Sequence, residues 1–306
     1  MNPFGLKRRG RLLLCFAIVY LAWGASFLFT SIGVHAMPPL LFGGFRTIFA
    51  GVLLLLVARF SGKKLLLGAI ELRNVSIVAT GAILFCTGAN VWAMQWLPSA
   101  QVALLNASAS LWIALFGMFG ARGQPLSSRV LLGIAVGFAG TALILLPRGT
   151  AAAMRTEVWR EGIVLLGCMA WAATTIFVRN SPSKLDLLSF TGLQMLIGGL
   201  MLTVAGLLTH ELPRLHISTP GLLAMLYLTI FSSCLGYTAF GWLTRNTTPA
   251  RLGTYGYVNP MIATVLGWLV LDERLSALQL GGMAIILLGV ALVSWPATTQ
   301  SPTGNA

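Results

Sequence analysis

Long apolar runs separated by short polar connectors fill almost the whole chain of 306 residues. A helix needs roughly 20 apolar residues to cross a bilayer, and most of the runs approach that length. Prolines such as Pro98, Pro125 and Pro182 lie in the connectors, where they break the helices and mark the ends of the apolar runs. The pattern predicts an all-α integral membrane protein with ten transmembrane helices. We place them at about residues 12–34, 39–58, 75–96, 99–119, 130–147, 162–178, 187–208, 221–243, 250–271 and 278–295.

The composition supports a membrane location. Hydrophobic residues make up 57% of the chain and charged residues only 9%, whereas soluble proteins carry about 25% charged residues. The net charge of +13 raises the question of a nucleic-acid partner. Its basic residues lie in the short connectors and not along one face of a domain, so we expect a lipid bilayer as the partner and no nucleic acid.

The basic residues also predict the orientation of the chain. Lys7 to Arg11 precede an apolar run at 12–34, which is longer than the roughly 7–15 residues of a signal peptide core. With a cytoplasmic N-terminus, fourteen Lys and Arg residues fall inside and five outside. The positive-inside rule then places both termini in the cytoplasm of a bacterial inner membrane. The polar tail at 297–306 is predicted to be disordered.

The chain carries an internal duplication. The motif Ala22-Trp23-Gly24-Ala25 recurs as Ala170-Trp171-Ala172-Ala173, at a shift of 148 residues. We therefore predict two repeats, at 1–150 and 151–296, with five helices in each. An odd number of spans per repeat inserts the second repeat upside down relative to the first. Inverted repeats of this kind are typical of transporters.

Polar residues inside the predicted spans are candidates for a substrate site. Arg46 is the one charged residue deep within them, since Arg251 stands at the very start of its span, and charges inside a membrane are functional candidates by default. Asn90 and Asn106 lie at a similar depth in the outer half of their helices. The alternative is that Arg46 snorkels, or binds backbone carbonyls, and only fixes helix packing.

The second repeat is expected to supply the inner half of the same site. Gln194 occupies the position of Arg46 at the shift of 148, counted from the inner end of its helix. Tyr237, Tyr255 and Tyr257 lie at comparable inner depth. We predict one central cavity with an outer polar band around Arg46 and an inner band around Gln194 and the tyrosines.

Three further residues complete the predicted substrate-binding set. Trp23 and Trp171 lie near the middles of their helices, whereas tryptophans that anchor a helix lie at its ends. Asn259 precedes Pro260, which interrupts the ninth predicted helix and frees a backbone carbonyl for a ligand or a hinge. Tight packing of the tryptophans and a simple kink at the proline are the alternatives.

Glycines are concentrated on the fifth and tenth predicted helices. Gly133 and Gly137 form a small-xxx-small motif, and Gly282 and Gly289 give the tenth helix a similar face. Such faces allow close helix contact, so we expect a packing seam at these helices, and a homo-oligomer through the same helices is possible.

Other kinds of site find little support. No Asp or Glu lies within the predicted spans, and the cysteines lie singly in apolar runs, so no metal, cofactor or proton relay is expected. All three histidines lie in predicted outer connectors: His35, His210 and His216. A membrane enzyme acting on lipid-linked substrates would need such groups. That enzyme and a passive channel are the alternatives to a carrier, and coupling through Glu273 stays open.

The sequence resembles the EamA family of the drug/metabolite transporter superfamily. The residues that carry this resemblance are Trp23–Ser26, Phe45-Arg46, Asn259-Pro260 and Asp272–Leu275, within about residues 11–295. The resemblance implies export of amino acids, other metabolites or drugs through a central cavity by alternating access.

Two positions depart from the family pattern. Ser110 stands where a proline is expected, and Gln124 stands where a glutamate is expected. We therefore expect the fourth helix to be bent or anchored differently from the ninth.

The predicted topology can be tested by cysteine labelling. Cysteines introduced at 120–128 and at 180–185 should react with an impermeant thiol reagent from the same face of the membrane, because both connectors are predicted to be cytoplasmic. Labelling in intact cells and in inverted vesicles measures this. Reaction from opposite faces would contradict the ten-helix topology.

Overall fold

The computed structural model describes residues 8–63, 67–119, 123, 127–144, 151–181 and 183–294. The regular structure in these ranges is helical, and none of them contains a β-strand. The predicted all-α class is therefore confirmed. The predicted tail at 297–306 lies outside the described residues.

The described part of the first half is organised around long helices. They are α1 (Arg8–Ala36), α2 (Pro39–Phe60), α3 (Ala69–Ala93), α4 (Ser99–Phe116) and α5 (Ser128–Ile144). Within α3, the segment Ala79–Thr87 is a π-helix, in which hydrogen bonds span five residues instead of four.

The second half repeats this arrangement. Its long helices are α6 (Ala151–Asn180), α7 (Leu187–Leu208), α8 (Thr219–Asn246), α9 (Tyr255–Leu271) and α10 (Ala277–Ser294). A 3-10 turn at Leu212–Arg214 precedes α8, and a short helix at Pro249–Leu252 precedes α9. Within α8, Leu228–Gly236 is again a π-helix. It lies 149 residues after its counterpart in α3, so the duplication extends to this unusual backbone geometry.

The long helices are suited to a bilayer. Among the described residues, seven of them are long and apolar enough to cross it, namely α1 to α4 and α6 to α8. Shorter apolar helices occur at Ser128–Leu143, Val258–Leu271 and Ala277–Val293. The count of ten spans therefore stays a prediction.

Helix α6 begins at Ala151, well before the predicted start at 162. Its added turns carry Trp159 and Arg160, which are side chains suited to the membrane surface. The Arg160 guanidinium lies 4.4 Å from the ring centre of Trp96 at the end of α3. The prediction used only the length of the apolar run, so it began α6 at 162. A helix can continue beyond the apolar layer into the polar interface, and α6 does so.

Carboxylates satisfy the first amides of several helices. Asp186 caps α7 by accepting hydrogen bonds from the amides of Leu188 and Ser189. Helix α2 begins with Pro39, and the carboxylate of Glu211 accepts from its next two amides at 3.3 and 2.9 Å. Glu211 belongs to the connector after α7, so this cap joins the two halves.

Glu273 forms a similar bond between the halves at the start of α4. Its carboxylate accepts from the first two amides of α4 at 2.8 and 3.0 Å, and from the Ser99 hydroxyl at 3.0 Å. The counterpart Gln124 lies outside the described residues. At the position of the expected proline, Ser110 donates a hydrogen bond to the Gly253 carbonyl at 2.8 Å, within an uninterrupted α4.

The main contacts between helices of the two halves are symmetric: for each of them, the equivalent pair of helices is also in contact. Helix α2 packs on its equivalent α7, and α5 packs on its equivalent α10. Helix α1 contacts α8 and α9, and its equivalent α6 contacts α3 and α4. The duplication in the sequence is thus matched by a duplication of the contacts.

Glycine faces form the seam between α5 and α10. A Cβ atom added to Gly140 would lie 2.9 Å from the Gly282 carbonyl oxygen, and one added to Gly133 would lie 2.8 Å from that of Gly289. The two faces therefore contact each other within one chain. Association of two chains through the same helices stays a prediction.

The seam can be tested by adding a single methyl group. The Cβ of Gly289→Ala would lie 2.5 Å from the Gly137 backbone, so the two helices must separate. We expect a loss of about 1–3 kcal/mol, seen as a lower midpoint of thermal denaturation in detergent. Gly281→Ala is the matched control, since its nearest neighbour is a Leu143 methyl at 3.9 Å. Equal midpoints for the two variants would contradict the seam.

Candidate functional site

A cavity of about 750 Å³ lies between the two halves, bounded by α1, α2, α3, α4, α6, α8 and α9. Most of the residues predicted from the sequence line it. They are Trp23, Arg46, Asn90 and Asn106 from the first half and Trp171, Tyr237, Tyr255 and Asn259 from the second. We call this space the central cavity.

Arg46 is the charged residue in the wall of the central cavity. It is 6% exposed, and its Nε and Nη1 atoms have no hydrogen-bond partner among the described residues. Neither atom donates to a backbone carbonyl, and no described carboxylate lies within ion-pairing distance of the guanidinium. A buried charge without a partner is strongly destabilising. The cavity wall therefore presents a positive charge that an anion would neutralise.

The two asparagines form a pair that joins α3 to α4. Asn90 Nδ2 donates to Asn106 Oδ1 at 3.2 Å, and Asn106 Nδ2 donates to Asn90 Oδ1 at 2.9 Å. Asn106 Nδ2 also donates to the Val102 carbonyl at 2.8 Å. The pairing orients both amides at the cavity wall, where their remaining donors and acceptors can meet a ligand.

Five aromatic rings close one end of the central cavity: Trp23, Trp171, Tyr237, Phe240 and Tyr255. Trp23 lies at the centre, with its ring 5.0 to 5.8 Å from the other four. Most of the contacts with Trp23 are edge-to-face, which is a favoured geometry for aromatic pairs. We call this group the aromatic cluster.

Hydrogen bonds hold both indoles of the aromatic cluster. Trp23 Nε1 donates to the Ser232 carbonyl at 3.1 Å, and Trp171 Nε1 donates to the Tyr255 hydroxyl at 3.1 Å. Ser232 belongs to the π-helical segment of α8. At Gly236, at the end of that segment, a Cβ atom would collide with the Trp23 indole. The π-helix and its glycine thus provide the surface on which Trp23 packs.

Gln194 lies apart from the central cavity. It lines a second cavity of about 450 Å³, bounded also by the end of α6 and the end of α8. Trp171 and Tyr237 line both cavities, so the aromatic cluster lies between them. The structure therefore separates Gln194 from Arg46, whereas Tyr237 and Tyr255 of the predicted inner band line the central cavity together with Arg46.

Asn259 adds an acceptor to the central cavity. It is 4% exposed, and its Oδ1 atom has no hydrogen-bond partner among the described residues. Pro260 lies within α9 and also lines the cavity. The side chain of Tyr257 lies outside the described part of the structure.

The comparisons with known proteins agree with this architecture. The EamA-like transporter family matches the chain twice, at residues 10–146 and 159–295. The chain belongs to this family. The two matches correspond to α1–α5 and α6–α10, so each half is one EamA repeat.

Several relatives align with nearly the whole length of this EamA protein. The inner membrane transporter YedA of Escherichia coli, described as uncharacterized, is 30% identical over 90% of this chain and 88% of its own. The uncharacterized transporter YvbV of Bacillus subtilis is 27% identical over 96% and 94% of the two chains. A crystal structure with 21% identity superposes with a TM-score of 0.70 over 93% of this chain and 97% of the other. The protein is thus an inner-membrane transporter by family, and the crystal structure shows the shared fold.

One expectation from the sequence is wrong. The helices of this EamA protein do contain a buried acid, because Glu161 on α6 is 2% exposed. Gln101 Nε2 on α4 donates to its carboxylate, and Gln279 Nε2 on α10 donates to Gln101 Oε1 at 3.0 Å. Glu161 lies one residue before the predicted start of its helix, so the boundary error excluded it.

Sequence reasoning also missed cavity residues of ordinary type. Cys86 and Thr87, at the end of the π-helical segment of α3, line the central cavity. The Thr87 and Tyr237 hydroxyls lie 3.3 Å apart. Cys86 recurs as Cys234 at the shift of 148 residues, but nothing in the sequence indicates which copy faces the cavity.

The division into two cavities can be tested by thiol accessibility. Asn106→Cys and Gln194→Cys should react with an impermeant reagent added to opposite sides, because the aromatic cluster lies between the two positions. The four native cysteines are first replaced by serine, since Cys86 lines the central cavity. Val102→Cys, fully buried outside both cavities, is the unreactive control. Labelling of both test positions from one side would contradict the division.

Proposed function

We propose that this EamA transporter exports small organic molecules that carry an anionic group, a carboxylate above all. Amino acids or related metabolites, and drugs of similar charge, are the substrate classes that fit. Transport proceeds by alternating access of the central cavity. The observation that carries the proposal is the unpartnered guanidinium of Arg46 in the wall of that cavity.

Arg46 selects an anion because a bound carboxylate would neutralise a charge that is otherwise costly. A guanidinium can donate two parallel hydrogen bonds to a carboxylate, and such charge-assisted bonds are the stronger ones. Two of its nitrogen atoms, Nε and Nη1, are buried without a partner among the described residues, so a bound carboxylate would supply the missing acceptors. The neutralisation is worth more in this buried site than it would be in water.

The other cavity residues suit the remaining parts of such a substrate. The free Oδ1 of Asn259 can accept from an ammonium or hydroxyl group, which would favour a zwitterion. The amides of Asn90 and Asn106 add donors and acceptors. Trp23 and Tyr237 offer apolar surfaces for a side chain.

The proposed topology has ten spans in two inverted five-helix halves, with both termini in the cytoplasm. The recurrence of the contacts α2 with α7 and α5 with α10 supports a symmetric relation between the halves. The fourteen basic residues on the predicted inner side support the orientation. In this orientation the central cavity lies toward the outside and the Gln194 cavity toward the cytoplasm.

In this scheme the substrate site stays in place during transport. The barrier that closes it moves from one side of the central cavity to the other. In the described conformation the aromatic cluster lies between the two cavities. In the proposed orientation it would be the barrier on the cytoplasmic side of the central cavity. Opening to the cytoplasm requires Trp23 and Trp171 to separate, and closing on the outside requires α3 and α4 to approach α1. The π-helical segments in α3 and α8 are places where these helices can change their backbone geometry.

Substitution of Arg46 tests the proposal directly. In proteoliposomes, Arg46→Gln and Arg46→Glu should lose transport of a carboxylate substrate by at least about tenfold, because one charge-assisted hydrogen bond is worth roughly 1.5–3 kcal/mol. Counterflow of labelled amino acids, and of the corresponding amides, is the measurement. The midpoint of thermal denaturation of Arg46→Gln should be equal to or above that of the wild type, since an unpaired buried charge is removed.

Arg59→Gln on the same helix is the matched control, because Arg59 is exposed at the end of α2. Full transport by Arg46→Glu would reject the role of this residue. A large loss of thermal stability in Arg46→Gln would instead favour a packing role. Absence of counterflow with retained flux would favour a channel, and turnover of a labelled lipid would favour the enzyme.

A further inference from the structure

A second basic feature lies where α1 begins and α8 ends, away from the central cavity. An open cleft of about 1030 Å³ separates the start of α1, the end of α8 and the short helix Pro249–Leu252. Leu12, Asn246, Thr247 and Thr248 contribute to its wall. Four arginines also line it: Arg8, Arg9, Arg245 and Arg251. We call this cleft the arginine cleft.

The charge of the arginine cleft is not neutralised by the described protein. No acid lines the cleft, and none of its four arginines forms an ion pair with a carboxylate in the described ranges. Asp186 acts on Arg245 electrostatically, but its carboxylate is bound to the first turn of α7. Several guanidinium groups around one space are suited to a phosphate group, which accepts paired hydrogen bonds from them.

The arginine cleft lies at the level of lipid headgroups. The apolar part of α1 begins at Leu12, and that of α8 ends at Leu243, so the arginines stand at the edge of the apolar layer. Leu12 itself lines the cleft, so an apolar side chain adjoins the arginines. A phosphate site at the edge of an apolar layer matches a phospholipid headgroup better than a free phosphate ion.

We propose that the arginine cleft binds the headgroup of an anionic phospholipid of the inner leaflet. Basic pockets between membrane helices on the cytoplasmic side are known to take such headgroups. The positive-inside rule accounts for arginines on this face, but not for four of them around one cleft whose wall holds no acid.

The experiment measures thermal stabilisation of the full-length protein in mixed micelles. Phosphatidylglycerol or cardiolipin should raise the midpoint of denaturation, because a ligand of the native state stabilises it. Phosphatidylcholine and inorganic phosphate should leave the midpoint unchanged. In Arg9→Gln/Arg251→Gln, half of the shift should require roughly thirtyfold more anionic lipid, since each of the two basic residues near the surface contributes about 1 kcal/mol.

Arg59→Gln/Lys63→Gln is the matched control, because it removes two exposed positive charges from the same predicted face. It should keep the response of the wild type. Equal lipid responses of the two double variants would overturn the site, and an equal shift with phosphate alone would overturn the lipid assignment. If Arg9→Gln/Arg251→Gln fails to fold, Arg8→Gln measured by native mass spectrometry replaces it. Retention of lipid by Arg8→Gln equal to that of the wild type overturns the proposal.

Discussion

Close contact between glycine-bearing helices is the interaction on which this structure depends. Lipid tails are as apolar as a helix surface, so burial of apolar area gives membrane helices little reason to associate. Two seams hold the helices together by close backbone contact at glycines. Gly51 of α2 packs on the backbone of α7 near Gly192, and Gly289 of α10 packs on the backbone of α5 near Gly137. Each seam joins a helix to its own equivalent in the other half.

The seams at α2 with α7 and α5 with α10 leave the other helices to surround the polar interior. Helices α1, α3, α4, α6, α8 and α9 supply nearly all of the central cavity, and α2 adds Arg46. The carboxylate bonds that cross between the halves, from Glu211 to α2 and from Glu273 to α4, lie at helix ends. The glycine seams and the end caps thus frame a middle region that contains the central cavity and the aromatic cluster.

The sequence predicted much of this because polar residues are rare in apolar runs. Arg46, Asn90 and Asn106 stood out for that reason, and they line one cavity. The π-helical segments could not be predicted, because their residues are those of ordinary membrane helices. The separation of Gln194 from Arg46 depends on the aromatic cluster, whose rings come from α1, α6, α8 and α9, and no local pattern reports such an assembly.

The unpaired charge of Arg46 has an electrical consequence. The empty site holds one positive charge, whereas a site that holds a monovalent anion is neutral. Moving the barrier from one side of the site to the other changes the fraction of the transmembrane voltage that Arg46 experiences. For the empty form this step is worth up to about 2.3 kcal/mol per 100 mV, and for the loaded form it is close to zero. In the proposed alternating-access cycle, with a substrate of net charge −1, the membrane potential would therefore set the rate at which the unloaded protein resets, and leave the loaded step almost untouched.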